Sequence, residues 1–346
     1  MRRTSEIILG VSSAVMIGLF LLLGTVSGFS NGGWSAWFDY YGHTLAGSFG
    51  QFFYSVTLFF CLALILFIIW SLGGSFLRLI FPKLRGRKGV DDPYHSFINA
   101  MKRSREIWLI LGAIFFVTMA GLVMGEASRF AIVRLKDIDL IGLERFLFGN
   151  YVFALLGAIN YPHWLIEFII ISFDNMGLIL VAVGIFTFYL APKHFRELII
   201  AFCMGILMMI PLWLLFPALS PQDRFIDNIY GLHEPNQIAL AVARYNPQSE
   251  IKQFLLDVRR GKAGLVALPT STMPSAHVFW AVLAGYYLFR VKRPWRIIGW
   301  IASPFLAAST LGTILLAQHY FLDIPAGIVI AGLAIWFANG VEAKEI

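Results

Sequence analysis

The chain has 346 residues, of which 58% are hydrophobic and 14% charged, with a mean hydropathy of +0.74. Soluble domains run closer to half apolar and about a quarter charged, so the composition excludes a water-soluble globule and predicts an all-α, polytopic membrane protein. A net charge of +7 does not indicate nucleic acid, because the basic residues sit beside apolar runs, and Cys61 and Cys203 lie inside such runs and support no disulfide framework.

In chain order, Met1-Arg2-Arg3 precedes the apolar run Ile7 to Val26, which at roughly 20 residues is a retained anchor rather than a signal peptide. Ser30 to Gln51 carries no Lys or Arg and is expected outside; Phe52 to Ile80 returns. The connection from Arg78 to Glu106, with Lys83, Arg85, Arg87, Lys88, Lys102, Arg103 and Arg105, is the densest basic cluster and marks the cytoplasmic side. Ile107 to Gly125 crosses outward. From Arg134 to Gly149, apolar residues recur at three- and four-residue steps between charges, the pattern of a helix lying in the membrane interface.

His163 to Leu190 is expected to cross back as one span, ending at the basic turn Pro192-Lys193-His194-Phe195-Arg196. Inside it stand Glu167 and Asp174; an intramembrane acid is a site candidate by default, Asp174 more so than Glu167, which can snorkel to the interface. Leu198 to Leu219 crosses outward into a proline-punctuated polar cap, Ser220 to Thr272. Val278 to Phe289 goes in, Ile297 to Ala317 out and Ile324 to Ala338 in again. The sum is about eight transmembrane helices plus one interfacial helix, with both termini cytoplasmic.

This topology brings Ser275, His277, His319 and Asp323 to one outer face. His319 and Asp323 are spaced i, i+4, which on a helix puts them on one face within reach of an imidazole–carboxylate hydrogen bond. Such a bond fixes the tautomer and leaves the other ring nitrogen to attack phosphorus. Ser275 and His277 follow Pro274, which suits a first helical turn, so backbone N–H groups there can face a phosphate while His277 protonates the leaving alkoxide. A protonated His277 beside an unprotonated His319 predicts a bell-shaped pH profile. The other histidines, His43, His95, His163, His194 and His233, have no such partner pattern. No cluster has zinc spacing, and the chemistry calls for no metal or other cofactor.

Pro274-Ser275-Ala276-His277 and His319-Tyr320-Phe321-Leu322-Asp323 resemble the second and third motifs of the type-2 phosphatidic acid phosphatase superfamily. The His-Tyr-x-x-Asp form is most similar to the inositol phosphorylceramide synthase and sphingomyelin synthase branch. Leu143-Glu144-Arg145-Phe146-Leu147-Phe148-Gly149 and Phe216-Pro217-Ala218-Leu219-Ser220-Pro221 match that branch loosely. The similarity is specific over Phe216 to Gly327, weaker over Asp137 to Phe216 and absent from the first hundred residues. The chain is accordingly divided into 1–127, N-terminal transmembrane helices of unassigned role, and 128–346, a catalytic membrane domain.

The resemblance implies His319 as a nucleophile forming a phosphohistidine, Asp323 as its orienting partner, His277 as general acid and Ser275 as a phosphate ligand. The chain departs from the superfamily's phosphatases in lacking their Lys-x6-Arg-Pro first motif and in carrying Thr313 where they have an arginine six residues before the nucleophile. That gap, shared by the synthase branch, favours transfer of a head group over hydrolysis. Candidate cations for the phosphate are Arg224 first, then Arg259, Arg260 and Lys262.

The expected protein is thus an integral membrane lipid phosphatase or phosphotransferase, its site on the extracytoplasmic face, taking a lipid phosphate or phospholipid and passing the group to a lipid alcohol. The compact loops favour the plasma membrane of a prokaryote. A plain lipid phosphate phosphohydrolase is the nearest alternative, and a channel or transporter built around Asp174 is the alternative of another class.

Overall fold

The structure, a computed structural model, describes residues 4–30, 108–116, 119–120, 123, 136–222, 224, 273–293 and 295–343. The expected span 52–80, the basic connection 78–106, most of the polar cap, and Arg259, Arg260 and Lys262 lie outside the described residues. Among those described there is no strand. The helices are α1 (Thr4–Ser30), α2 (Asp137–Phe148), α3 (Val152–Gly157), α4 (His163–Asp174), α5 (Met176–Leu190), α6 (Pro192–Leu215), α7 (Ala276–Arg290), α8 (Arg296–Leu315) and α9 (Asp323–Ala343), and residues 108–116 are also helical.

Three of these, α6, α8 and α9, are long and apolar enough to cross a membrane, and the α4–α5 pair makes a fourth if its two halves form one span. The chain is therefore an integral membrane protein. Eight spans are more than the described residues carry. At 15 residues α7 is about 22 Å long, short of the ~30 Å hydrocarbon core.

The expected single span from His163 to Leu190 is broken: α4 and α5 meet at 60°. Asn175 makes the break, since its backbone N–H and its side-chain Nδ2 both donate to the Ile171 carbonyl, at 3.1 and 2.8 Å, and close off α4. The segment with recurring apolar residues is helical, forming α2, which ends at Gly149 at φ 71°, whose N–H bonds the Arg145 carbonyl. Its exposed face carries Ile138, Leu143, Phe146 and Leu147, whereas the buried face reads Asp137, Leu140, Ile141, Glu144. A carboxylate at each end of the buried face is not what an apolar stripe predicts.

The short helix α7 sits at the centre, packed by α5, α6, α8 and α9. Lipid is as apolar as these side chains, so the bundle is held by close packing, which small residues permit. Ala331, Ala334 and Ala338 of α9 are fully buried, and α9 packs extensively on α6. Gly312 does the same for α8 and α4, where an added Cβ would lie 3.1 Å from Ile169 Cγ2 and 3.2 Å from Phe173 Cβ.

α6, α7 and α9 have ends at both poles of the bundle. At one pole lie the end of α6 and the starts of α7 and α9. At the other, Glu197 of α6 is buried among Lys193, His194 and Arg290, and Arg290 also bonds Asn339 of α9 and Tyr286.

Candidate active site

The first pole is assembled by backbone bonds. Ser275 is the N-cap of α7: its Oγ accepts the Val278 N–H at 3.4 Å and its own N–H donates to the Asp323 carbonyl at 3.1 Å, joining the start of α7 to the start of α9. Trp213, near the end of α6, donates its Nε1–H to the Pro274 carbonyl at 3.0 Å. The contact between α7 and α9 is tight enough that a Cβ on Gly327 would fall 2.7 Å from the Ser275 carbonyl oxygen. These ties hold the Pro274-to-His277 segment in place.

His319 is delivered by the end of α8. The Ala317 N–H bonds the Ile314 carbonyl, and the Gln318 and His319 amides both bond the Thr313 carbonyl, at 3.0 and 2.8 Å. This is a Schellman closure, with Ala317 in the left-handed position at φ 55° where glycine is usual. A non-glycine residue there costs about 1 kcal/mol or more. Thr313 turns its Oγ1 back to the Thr310 carbonyl, so its contribution here is its own carbonyl.

The His319–Asp323 bond expected from spacing is present, Nδ1 to Oδ2 at 3.1 Å, but no continuous helix makes it. Asp323 is the first residue of α9 and His319 lies in the turn before it, so the turn, with the Tyr320 amide donating to the same oxygen at 3.0 Å, creates the geometry. A carboxylate on Nδ1 fixes that nitrogen as the protonated one and Nε2 as the unprotonated one. His277 faces this pair with its ring centroid 6.2 Å from that of His319. Its ring stacks on Phe173 at 4.0 Å and lies 5.3 Å from Trp280. Burial, and secondarily His319, push the His277 imidazole down to about 3, so it is neutral in the ligand-free protein.

The remaining candidates fare differently. Arg224 forms a close ion pair with Asp137, both buried. Its segment does run beside the site, because the Gln222 N–H bonds the Ala317 carbonyl at 2.8 Å and Gln318 Nε2 bonds Gln222 Oε1. Asp174 ends α4 and is exposed; it is its neighbour Phe173 that touches His277. Glu167 pairs with His163 at 3.1 Å on an exposed face, a contact worth little. Among the described residues no group of three or more His, Cys, Asp or Glu is placed to hold a metal ion.

Four residues of this pole escaped the sequence reading: Trp213, Phe173, Ala317 and Glu144. The first three bear no chemical signature in sequence. Glu144 does, as an acid seven residues after Asp137 on the same helical face. It is fully buried, with Oε1 accepting the Phe321 amide and Oε2 the Val152 amide at 3.4 Å.

A family model described as the PAP2 superfamily matches residues 138–337. No curated protein and no solved structure matches the chain. The match covers more than half of the chain, which therefore belongs to the PAP2 superfamily, and this supports an enzyme of the lipid phosphatase or phosphotransferase class acting on a lipid phosphate in a membrane.

Proposed function

We propose, with membership of the PAP2 superfamily as the premise, that residues 128–346 form a catalytic membrane domain that cleaves a lipid phosphoester through a phosphohistidine on His319. The observation that carries this reading is the meeting of the His277 ring with the His319–Asp323 pair at a separation a tetrahedral phosphate can bridge. Nε2 of His319 attacks phosphorus in line, the bond from phosphorus to the leaving oxygen breaks, and His277 gives that oxygen its proton. Water or a lipid alcohol then attacks the phosphohistidine and yields its proton to His277, and the nitrogen–phosphorus bond breaks, returning both rings to their starting states. Because burial keeps His277 neutral at rest, its proton arrives with the substrate, whose negative charge stabilises the imidazolium.

The phosphate oxygens are met by the Ser275 hydroxyl, whose proton is not used in capping, and by amides at the start of α7. Arg224, Arg260, Lys262 and, from the end of α4, Asp174 complete the proposed substrate-binding set; a guanidinium has five donors, so pairing with Asp137 does not exhaust Arg224. Transfer to a lipid alcohol, as in the inositol phosphorylceramide synthase branch, is favoured over hydrolysis by Thr313 in place of the phosphatases' arginine. Lys193, Arg196, Arg290, Lys292, Arg293 and Arg296 all gather at the opposite pole, which supports an extracytoplasmic site with the C-terminus inside.

The test is purified full-length protein in detergent, given a lipid phosphate with and without a lipid alcohol. Free phosphate marks hydrolysis and a new phospholipid marks transfer; His319→Ala should remove either product, and a His319→Ala protein that keeps its activity sinks the reading.

A further inference from the structure

The proposed chemistry leaves unused a buried acid that borders the His319 turn. Glu144 comes from α2, a helix that contributes nothing to the reacting groups, yet its carboxylate reaches into the turn that carries them. Phe321, whose amide it accepts, lies midway between His319 and Asp323, and Val152, whose amide it also accepts, opens α3. Seven residues earlier on the same buried face, Asp137 holds Arg224 and with it the segment that bonds Ala317 and Gln318. α2 therefore grips, from one face, both chain segments that border His319.

We propose that Glu144 is a positioning residue, a two-oxygen clamp that fixes the His319–Asp323 turn against α2 and α3. The inference rests on the reading of His319 as the nucleophile. Only a carboxylate offers two acceptor oxygens to amides from two different segments; a glutamine in its place turns an NH2 donor toward one of them. The position is a costly one for an acid. Burial raises the Glu144 carboxyl, the Phe321, Val152 and Leu322 amides oppose the rise and the Asp323 charge adds to it, leaving it at about 7. The titratable groups around it are His319, Tyr320 and Asp323 on the clamped turn, Tyr151 ahead of α3, and Asp137, Asp139 and Arg145 on its own helix, with Arg145 over the Tyr151 ring and Asp137 paired to Arg224. A side chain serving only to fill the space between α2 and the turn would do so better uncharged.

The test compares wild type, Glu144→Gln and His319→Ala, each full-length in detergent, using release of phosphate or of transferred product from phosphatidic acid together with amide hydrogen exchange. Glu144→Gln should lower kcat by about 10- to 100-fold with KM within about threefold, the signature of a misplaced nucleophile. The Phe321 amide should exchange at least about tenfold faster while amides of α6 and α9 keep their rates. A kcat within about twofold of wild type with unchanged exchange at Phe321 overturns the inference, as does faster exchange spread equally over α6 and α9. An inactive wild type, or an active His319→Ala, sinks the catalytic reading instead, and Phe321 exchange then still decides whether Glu144 holds the turn.

Discussion

The two poles of the α6–α7–α9 bundle hold the same pair of side chains under different conditions. At one pole, His194 Nδ1 meets Glu197 Oε2 at 2.9 Å, and the acid is answered again by Arg290 at 3.7 Å and Lys193 at 4.0 Å. Arg290 is in turn bonded to Tyr286 and Asn339, and Asn339 to Tyr286, so three helices close on one saturated network. At the other pole, His319 meets Asp323 at 3.1 Å, the Tyr320 amide takes the same oxygen, and Oδ1 has no hydrogen-bond donor among the described residues. A second imidazole stands across from it. An imidazole–carboxylate pair is thus ringed by cations at one pole and faced by a second imidazole at the other.

The largest expected effect separates the poles by activity. Asp323→Asn keeps a side chain of the same shape but no longer fixes the His319 tautomer, and kcat should fall by about 10³- to 10⁴-fold with the thermal midpoint little changed. An active Asp323→Asn protein would erase the distinction drawn here. The mirror experiment, Glu197→Gln, strands Arg290 and His194 around a neutral group and should cost about 3 kcal/mol in a detergent melt while kcat per folded molecule holds within about twofold.

A smaller effect sharpens the comparison through pH. The Glu144 carboxyl, at about 7 in the folded protein against an ordinary 4.5, binds a proton between those values that the unfolded chain has already lost. Stability therefore falls as pH rises through that window, by the order of 3 kcal/mol once above it. Glu144→Gln should flatten the dependence, so the gap between the melts of the two proteins should change as pH rises through that window; parallel curves would contradict the raised value. Smallest is Gly327→Ala, whose methyl must push α9 from the Ser275 carbonyl. It should cost about 1–3 kcal/mol and lower kcat as well, whereas the same change at Gly340, with open space around its Cβ, should do neither.

Much of the candidate site was legible because its residues carry chemistry in their identity and order. His277, His319 and Asp323 are few, reactive and placed where apolar runs end, and the structure brings them together. The route to the pairing was not legible. The i, i+4 spacing suggests a helix face, yet the bond is made across a turn set by Ala317 in a left-handed conformation, which alanine does not advertise. Arg224 was legible as a candidate cation for the phosphate, but its pairing with Asp137 was not. The break at Asn175 was not legible, because the polar pair Asp174-Asn175 can as easily face a neighbour within one span as end a helix.

By itself, then, the sequence determined the membrane setting, the helical class and the identity of the candidate side chains: hydropathy sums over a window, and a residue's functional group is fixed by its type. Tertiary structure alone decided what each buried acid meets. Asp137, Glu144, Glu197 and Asp323 are all buried carboxylates. Their roles differ by whether an arginine, a pair of amides, a ring of cations or a single imidazole stands within about 3–4 Å, a distance over which electrostatic interactions in a poorly solvated interior are strong and which no linear pattern records.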